Sequence, residues 1–137
     1  MTAAFIGKQL DFGPGDPLFV SSADIEKQEL VWSDSDDKEK KRTYTEAEIQ
    51  ALGKTNMLCI NGEQYDKLIL FKNCGRISRH IHVYARTSPS QKGIIVSLLN
   101  NEGHITLMCG DGTNDVGSLK RADVGLAIVN GVAPTKE

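Results

Sequence analysis

The sequence predicts an α/β fold, and three observations carry that prediction. From Ile81 onward, short apolar runs alternate with helix-patterned segments: "IHVYA", "RTSPSQKGIIVSLLNNEG", "ITLMC", a short helix, then "VGLAIV". Strand, helix, strand, helix, strand is the order that builds a layered sheet through right-handed crossovers. The helix between the first two strands has both ends marked. Ser88 stands at the N-cap, Pro89 follows where its missing N–H costs nothing, and Gln91 completes a capping box with Ser88. Ile94, Ile95, Leu98 and Leu99 make one apolar stripe, and Gly103 closes the segment. Finally, "ITLMC" is a continuous apolar run of strand length, which predicts a strand buried on both faces as in a parallel sheet.

The remaining elements follow in chain order. Thr2 to Leu10 reads as a short helix, stopped by "FGPGDP", whose prolines and glycines deny a helix a donor and a fixed backbone. "LFVSS" and "ELVW" read as strands. Residues 33–44 include "SDSDDKEKKR", a charge run with no apolar residue, which predicts a solvated, flexible loop. Thr45 caps "EAEIQALGK", with Glu48 completing a capping box and Gly53 placed to end the helix. A strand "MLCI", a turn "NG" and a helix "EQYDKLILFK" come next.

Composition narrows the function classes. The chain has 137 residues, one domain's worth, and carries 16 basic against 18 acidic residues for a net charge of -2. No basic face argues for nucleic acid, and no polybasic arm argues for an anionic membrane. Cys59, Cys74 and Cys109 are odd in number and form no Cys-x-x-Cys, which fits reduced packing thiols. No run approaches the roughly 18 apolar residues of a membrane span, and the N-terminus lacks a signal-peptide pattern, so the chain alone reads as soluble. His80 and His82 share a strand face without a third ligand at metal spacing, which argues against zinc, and His104 reads as a surface residue.

Chemistry concentrates in "CGDGTND", residues 109–115. Asp111 follows the strand "ITLMC", and ligands of open α/β sheets collect outside the carboxyl ends of strands. Gly110 and Gly112 would let the backbone turn and approach a ligand closely, while Asn114 and Asp115 can cap the following helix. A plain turn with an Asx cap would account for Asn114 and Asp115 without a ligand. Two carboxylates within five residues at one strand end could instead hold a hard cation such as Mg²⁺, with water and phosphate oxygens completing its shell.

These residues carry a family resemblance. "CGDGTNDVGSLKRADVGLAI" resembles the hinge motif of P-type ATPases, within the haloacid dehalogenase superfamily, and "VYARTSPSQK" upstream resembles the same family's strand followed by Arg, Pro and Lys. The Val-Gly after Asn114-Asp115 and the phrase "TLMCGDGTND" resemble most closely the type V branch, in particular its endoplasmic-reticulum members. "TAAFIGKQLDF" is similar to that branch's helix just after its Thr-Gly-Asp motif.

The resemblance implies an incomplete haloacid dehalogenase-like, Rossmann-like fold: a mostly parallel sheet with flanking helices. It implies a partial phosphorylation domain over 1–137 with its motif-bearing core at 81–129. By the same resemblance Lys92, Asp111, Asn114 and Asp115 are catalytic, Gly110, Gly112 and Thr113 contact the cofactor, and Asp111 and Asp115 hold metal. Lys92 would reach the phosphate, a role that electrostatics supports, while Arg86 and Pro89 shape the loop. The implied cofactors are Mg²⁺ and, in a full-length parent, ATP. The implied activity is ATP hydrolysis through an aspartyl phosphate, coupled to cation transport or transmembrane-helix dislocation. The expected location is the cytosolic face of a membrane, that of the endoplasmic reticulum, with membrane contact made only by parts outside this chain.

The family's nucleophile motif, Asp-Lys-Thr-Gly, does not occur in this sequence, nor does Thr-Gly-Asp. The expectation is therefore a fragment, inactive alone. A soluble phosphatase of the same superfamily, or a non-catalytic interaction module, is the alternative. With the family's two inner strands missing, "IHVYA" is expected to pair directly with "ITLMC", or else the chain self-associates through that edge.

Overall fold

The computed structural model describes residues 3–34 and 37–129. Met1, Thr2, Ser35, Asp36 and the tail from Asn130 to Glu137 lie outside the described residues. The chain divides into two compact units, Met1–Thr87 and Ser88–Glu137. Three of the five strand pairings are parallel and helices flank the strands, so the α/β expectation holds.

The first unit begins with α1 (Ala3–Gln9), β1 (Pro17–Asp24), β2 (Glu29–Asp34), β3 (Lys41–Thr43) and α2 (Glu46–Leu52). β4 (Met57–Asn61), α3 (Gly62–Leu68), α4 (Cys74–Ser78) and β5 (Val83–Ala85) complete it. Its sheet has the order β3-β2-β1-β4-β5, with β1, β4 and β5 parallel. β4 is the central apolar strand. Met57, Leu58, Cys59 and Ile60 are all buried, because the strand is covered on both faces. On one face Met57 and Cys59 pack with Ala4 and Val83, and burial pushes the Cys59 thiol up to about 12. The α1 helix comes close enough to do this because Gly7 faces Val83, with only 3.0 Å between a Cβ at Gly7 and the valine methyl.

Several expectations change here. The charged stretch 33–44 is strand at both ends: Trp32 pairs with Arg42 and Ser33 with Lys41 in an antiparallel hairpin. Charges suit β3 because an exposed sheet edge is protected from foreign pairing by Lys and Arg. The "NG" step is no turn. Asn61 ends β4 and caps α3 at once, its side-chain oxygen accepting from the Gln64 N–H at 2.9 Å. The α4 helix was not anticipated.

His82 holds a junction in this unit. Its backbone N–H donates to the Leu58 carbonyl at 2.9 Å, and its ring Nδ1 accepts from the Leu58 N–H at 3.0 Å. An accepting Nδ1 requires a neutral ring, and burial lowers the His82 pKa below its ordinary value. The folded state therefore disfavours the imidazolium. His82's contribution to stability is complete above the unfolded-state value near 6.5 and is lost as pH falls through the lower folded-state value. Thermal melts from pH 8 to pH 5 are expected to show a larger fall for the wild-type chain than for His82→Phe, which has no charge to gain. Parallel pH profiles would refute the assignment.

The second unit contains α5 (Pro89–Asn101), β6 (Leu107–Gly110), a 3₁₀ turn (Thr113–Asp115), α6 (Val116–Arg121) and β7 (Val124–Ala127). The α5 N-terminus is as expected: Ser88 Oγ accepts from the Gln91 N–H at 3.2 Å, and Gln91 Oε1 accepts from the Ser88 N–H at 2.8 Å. Gly103 takes a left-handed φ of 87°, the conformation a helix stop asks of glycine. β6 and β7 pair in parallel, Leu107 with Val124 and Cys109 with Leu126.

Two readings of β6 are overturned: its direct pairing with β5, whose alternative, self-association through the β6 edge, stands as an expectation, and its burial on both faces. It does not pair with β5, which takes β4 as its neighbour, while β6 takes β7 in a separate sheet. Each strand reaches a parallel partner through its other crossover, β5 by way of α3 and α4, and β6 by way of α6. Nor is β6 buried on both faces. Leu107, Val124 and Leu126 are 67%, 51% and 55% exposed, and Cys109, expected as a packing thiol, is exposed beside them. Strand alternation puts these four side chains on one face, whereas Gly125 faces α6, where a Cβ would meet the Leu119 carbonyl at 2.6 Å. A two-stranded sheet with its helix on one side leaves the other side bare.

Candidate functional site

The site is built where β6 ends. Gly110 is the last residue of the strand, and the chain passes through Asp111 and Gly112 into the 3₁₀ turn that delivers Asp115 to the start of α6. Asp115 was expected to cap α6. Its side chain makes no cap hydrogen bond and instead turns inward, leaving the residue only 5% exposed. The reason is a better partner: Lys92 Nζ, from the first turns of α5, donates to Asp115 Oδ1 at 2.8 Å.

That hydrogen bond holds the Asp115 carboxyl below its ordinary range, against the opposing effect of burial. The Lys92 charge and the backbone amides of Asp111 and Gly112 add to the lowering. The carboxylate is thus ionised and held by donors from two segments of chain, as a buried charge requires. Ser118, fully buried, closes the turn from below by donating its Oγ to the Asp115 carbonyl at 2.9 Å. The sequence reading missed Ser118. A hydroxyl three residues after a turn residue is the spacing at which a side chain bonds back to the backbone, and that was the available signal.

The two glycines have different reasons. A Cβ at Gly110 would stand 2.6 Å from Asp115 Cβ and 2.8 Å from its Oδ2, so the strand end must be bare for the carboxylate to lie against it. At Gly112 the nearest obstacle is 3.9 Å away and φ is -144°, an extended value open to any residue.

Asp111, Gly112 and Thr113 are exposed, and with Gly110 they line one side of a groove of about 400 Å³. Val116, Leu119, Ala127 and Ile128 supply apolar walls. Asn114 is exposed. The structure thus joins Lys92 to Asp115, puts Asp111, Gly112 and Thr113 on the adjacent groove, and leaves Asn114 on the surface.

Among the described residues no three His, Cys, Asp or Glu side chains cluster as a complete metal cage. Mg²⁺ does not ask for one, since it is commonly held by one or two carboxylates with water and phosphate oxygens filling its shell. Asp111, an exposed carboxylate beside a groove, fits that donor chemistry.

No family model matches the chain. Comparison with curated proteins finds relatives along nearly all of it. The chain is 37% identical over 134 residues to the probable manganese-transporting ATPase PDR2 of Arabidopsis thaliana, covering 98% of this chain and 11% of that protein. It is 37% identical over 131 residues to the endoplasmic reticulum transmembrane helix translocase of Schizosaccharomyces pombe, covering 95% of this chain and 11% of that protein. A 53-residue stretch, 39% of this chain and 4% of the relative, is 62% identical to the endoplasmic reticulum transmembrane helix translocase of Saccharomyces cerevisiae. The chain spans about a tenth of the length of the first two relatives.

Proposed function

Given that the chain belongs to the P-type ATPases, in their type V branch, we propose that it supplies the magnesium- and phosphate-binding part of a phosphorylation domain. The observation that carries this reading is the Lys92–Asp115 ion pair lodged against Gly110, with Asp111 exposed beside it on the groove. Asp111 is the residue that would hold Mg²⁺, whose bound charge would neutralise a transferring phosphoryl group. Lys92 presents a cation on the same side of the turn, and Asp115 fixes where that cation stands. In this reading Asn114 donates to phosphoryl oxygens, and the backbone of Gly110, Gly112 and Thr113 follows the ligand along the groove wall.

In this reading the longer protein couples ATP hydrolysis to membrane transport from the cytosolic face of the endoplasmic reticulum. Its cargo is a cation or a transmembrane helix, as the names of the relatives suggest. No described helix of this chain is long and apolar enough to cross a membrane. With no Asp-Lys-Thr-Gly in the sequence, the nucleophile comes from elsewhere in the longer protein.

A graft tests the proposal. Residues 81–129, put in place of the matching segment of the S. pombe translocase, are expected to preserve formation of an acid-stable, hydroxylamine-sensitive phosphoenzyme from ATP. The isolated 137-residue chain is expected to form none. A stably inserted chimera that cannot be phosphorylated, or a phosphoenzyme on the isolated chain, would refute it.

A further inference from the structure

We infer that Thr106, Asn100 and Asp123 form a polar clasp that sets the register of β6 on β7 and thereby places Lys92 on Asp115; this rests on the functional reading above. The clasp lies at the end of the second unit away from the site. Thr106 Oγ1 donates to Asn100 Oδ1 at 2.7 Å, and Asn100 Nδ2 donates to the Arg121 carbonyl at 2.8 Å. Asp123 Oδ2 accepts from the Thr106 N–H at 2.8 Å, and the Val124 N–H donates to the Thr106 carbonyl at 3.0 Å. Three side chains therefore tie the end of α5, the approach to β6, the end of α6 and the approach to β7 into one network.

The need for such a device follows from the bare face of this sheet. Where one face is buried, slipping a strand by one residue is penalised because its apolar set leaves the core. Here Leu107, Val124 and Leu126 are already exposed, so burial on that face does little to fix the register, and on the other face it is the close approach of Gly125 to Leu119 that opposes a slip. A one-residue slip moves the strand end by about 3.3 Å. That displacement exceeds the 2.8 Å length of the Lys92–Asp115 bond, and Asp115 sits five residues past the end of the strand run that would move. The clasp adds hydrogen bonds at the strand starts to the steric specification that Gly125 gives against Leu119, where any other residue of β7 would clash. Thr106, Asn100 and Asp123 are positioning residues: they act on the site only through the strands and helices that they join.

The test is NMR on the ¹⁵N-labelled chain. An ammonium held in an ion pair exchanges slowly enough for its ¹⁵N–¹H signal to be seen, so the Lys92 side-chain resonance reports the pairing directly, and Lys92→Arg assigns it. Thr106→Val keeps the shape of the side chain and removes the hydroxyl, and is expected to abolish the Lys92 ammonium signal while the backbone amides of α5 stay dispersed. Thr106→Ser, which restores the hydroxyl, is expected to restore the signal. Lys92 lies eight residues before Asn100 on α5, about 12 Å along the axis, so a merely local loss of stability at Thr106 would not reach it. A Thr106→Val chain that keeps a wild-type Lys92 signal overturns the clasp. Should Thr106→Val unfold the unit, Asn100→Ala breaks the same network one bond further on, outside the strand, and is read in the same way. The functional reading fails separately, by a wild-type graft that is not phosphorylated.

Discussion

Asp111→Asn, introduced into a full-length ATPase that carries this segment, is expected to lower Mg²⁺-dependent phosphoenzyme formation by on the order of 10²- to 10³-fold. The substitution removes one negative charge and keeps the shape. Asp111 is exposed at the end of β6, and its carboxylate joins none of the ion pairs among the described residues, so the fold asks little of it. Its folded-state cost should stay within about 0.5 kcal/mol, as for other surface substitutions. A large kinetic loss without a loss of stability is the signature of a group whose charge serves a ligand. Acid-quench labelling with ATP over a Mg²⁺ series measures it; labelling at the wild-type level would remove Asp111 from the proposed site.

How much of this was legible in the sequence differs from element to element, for physical reasons. The α5 helix was readable to within a residue or two because its ends are specified by local chemistry: a Ser88–Gln91 capping box, Pro89 in the first turn and a glycine at Gly103. The same holds for Thr45 and Glu48 at the start of α2. At both helix starts the local hydrogen bonds between residues three apart are made. Exposure is not set by such local chemistry. "ITLMC" and "VGLAIV" are apolar enough for a strand covered on both faces, and nothing in an apolar run says how many helices will pack over it; only the assembled unit shows α6 on one side alone. β3 was hidden for the opposite reason, since three exposed residues rich in charge look like loop and pair as an edge strand only because β2 is beside them. The α4 helix has five residues and no side-chain cap at Asn73, too short for a periodicity to be read.

The turn after β6 was legible in position but not in its internal wiring. Strand, Gly-Asp-Gly and a following helix pointed to the end of β6, and a groove lined by Asp111, Gly112 and Thr113 lies there. That Asp115 would turn away from its helix cap and accept from Lys92, 23 residues earlier, is a tertiary fact, decided by which segment brings an ammonium within 2.8 Å. The sequence treats Gly110 and Gly112 alike. The structure separates them by what lies beyond each Cα.

That separation yields the second large effect, Gly110→Ala. An added methyl would stand 2.6 Å from Asp115 Cβ and 2.9 Å from its Cγ, atoms next to the backbone that cannot swing aside as the end of a long side chain can. Relief requires the 3₁₀ turn to shift, and overpacking of this kind costs roughly 1–3 kcal/mol. The shift also withdraws the carboxylate from Lys92 Nζ and from the amides of Asp111 and Gly112, so the substitution is expected to unfold the second unit earlier in denaturant and to abolish phosphorylation in the graft. Gly112→Ala is the matched control. With its nearest neighbour 3.9 Å away and an extended φ of -144°, it should change stability by no more than about 0.5 kcal/mol. Equal destabilisation by the two alanines would mean that the glycines serve the turn as a whole, and that Asp115 does not depend on a bare strand end to reach its lysine.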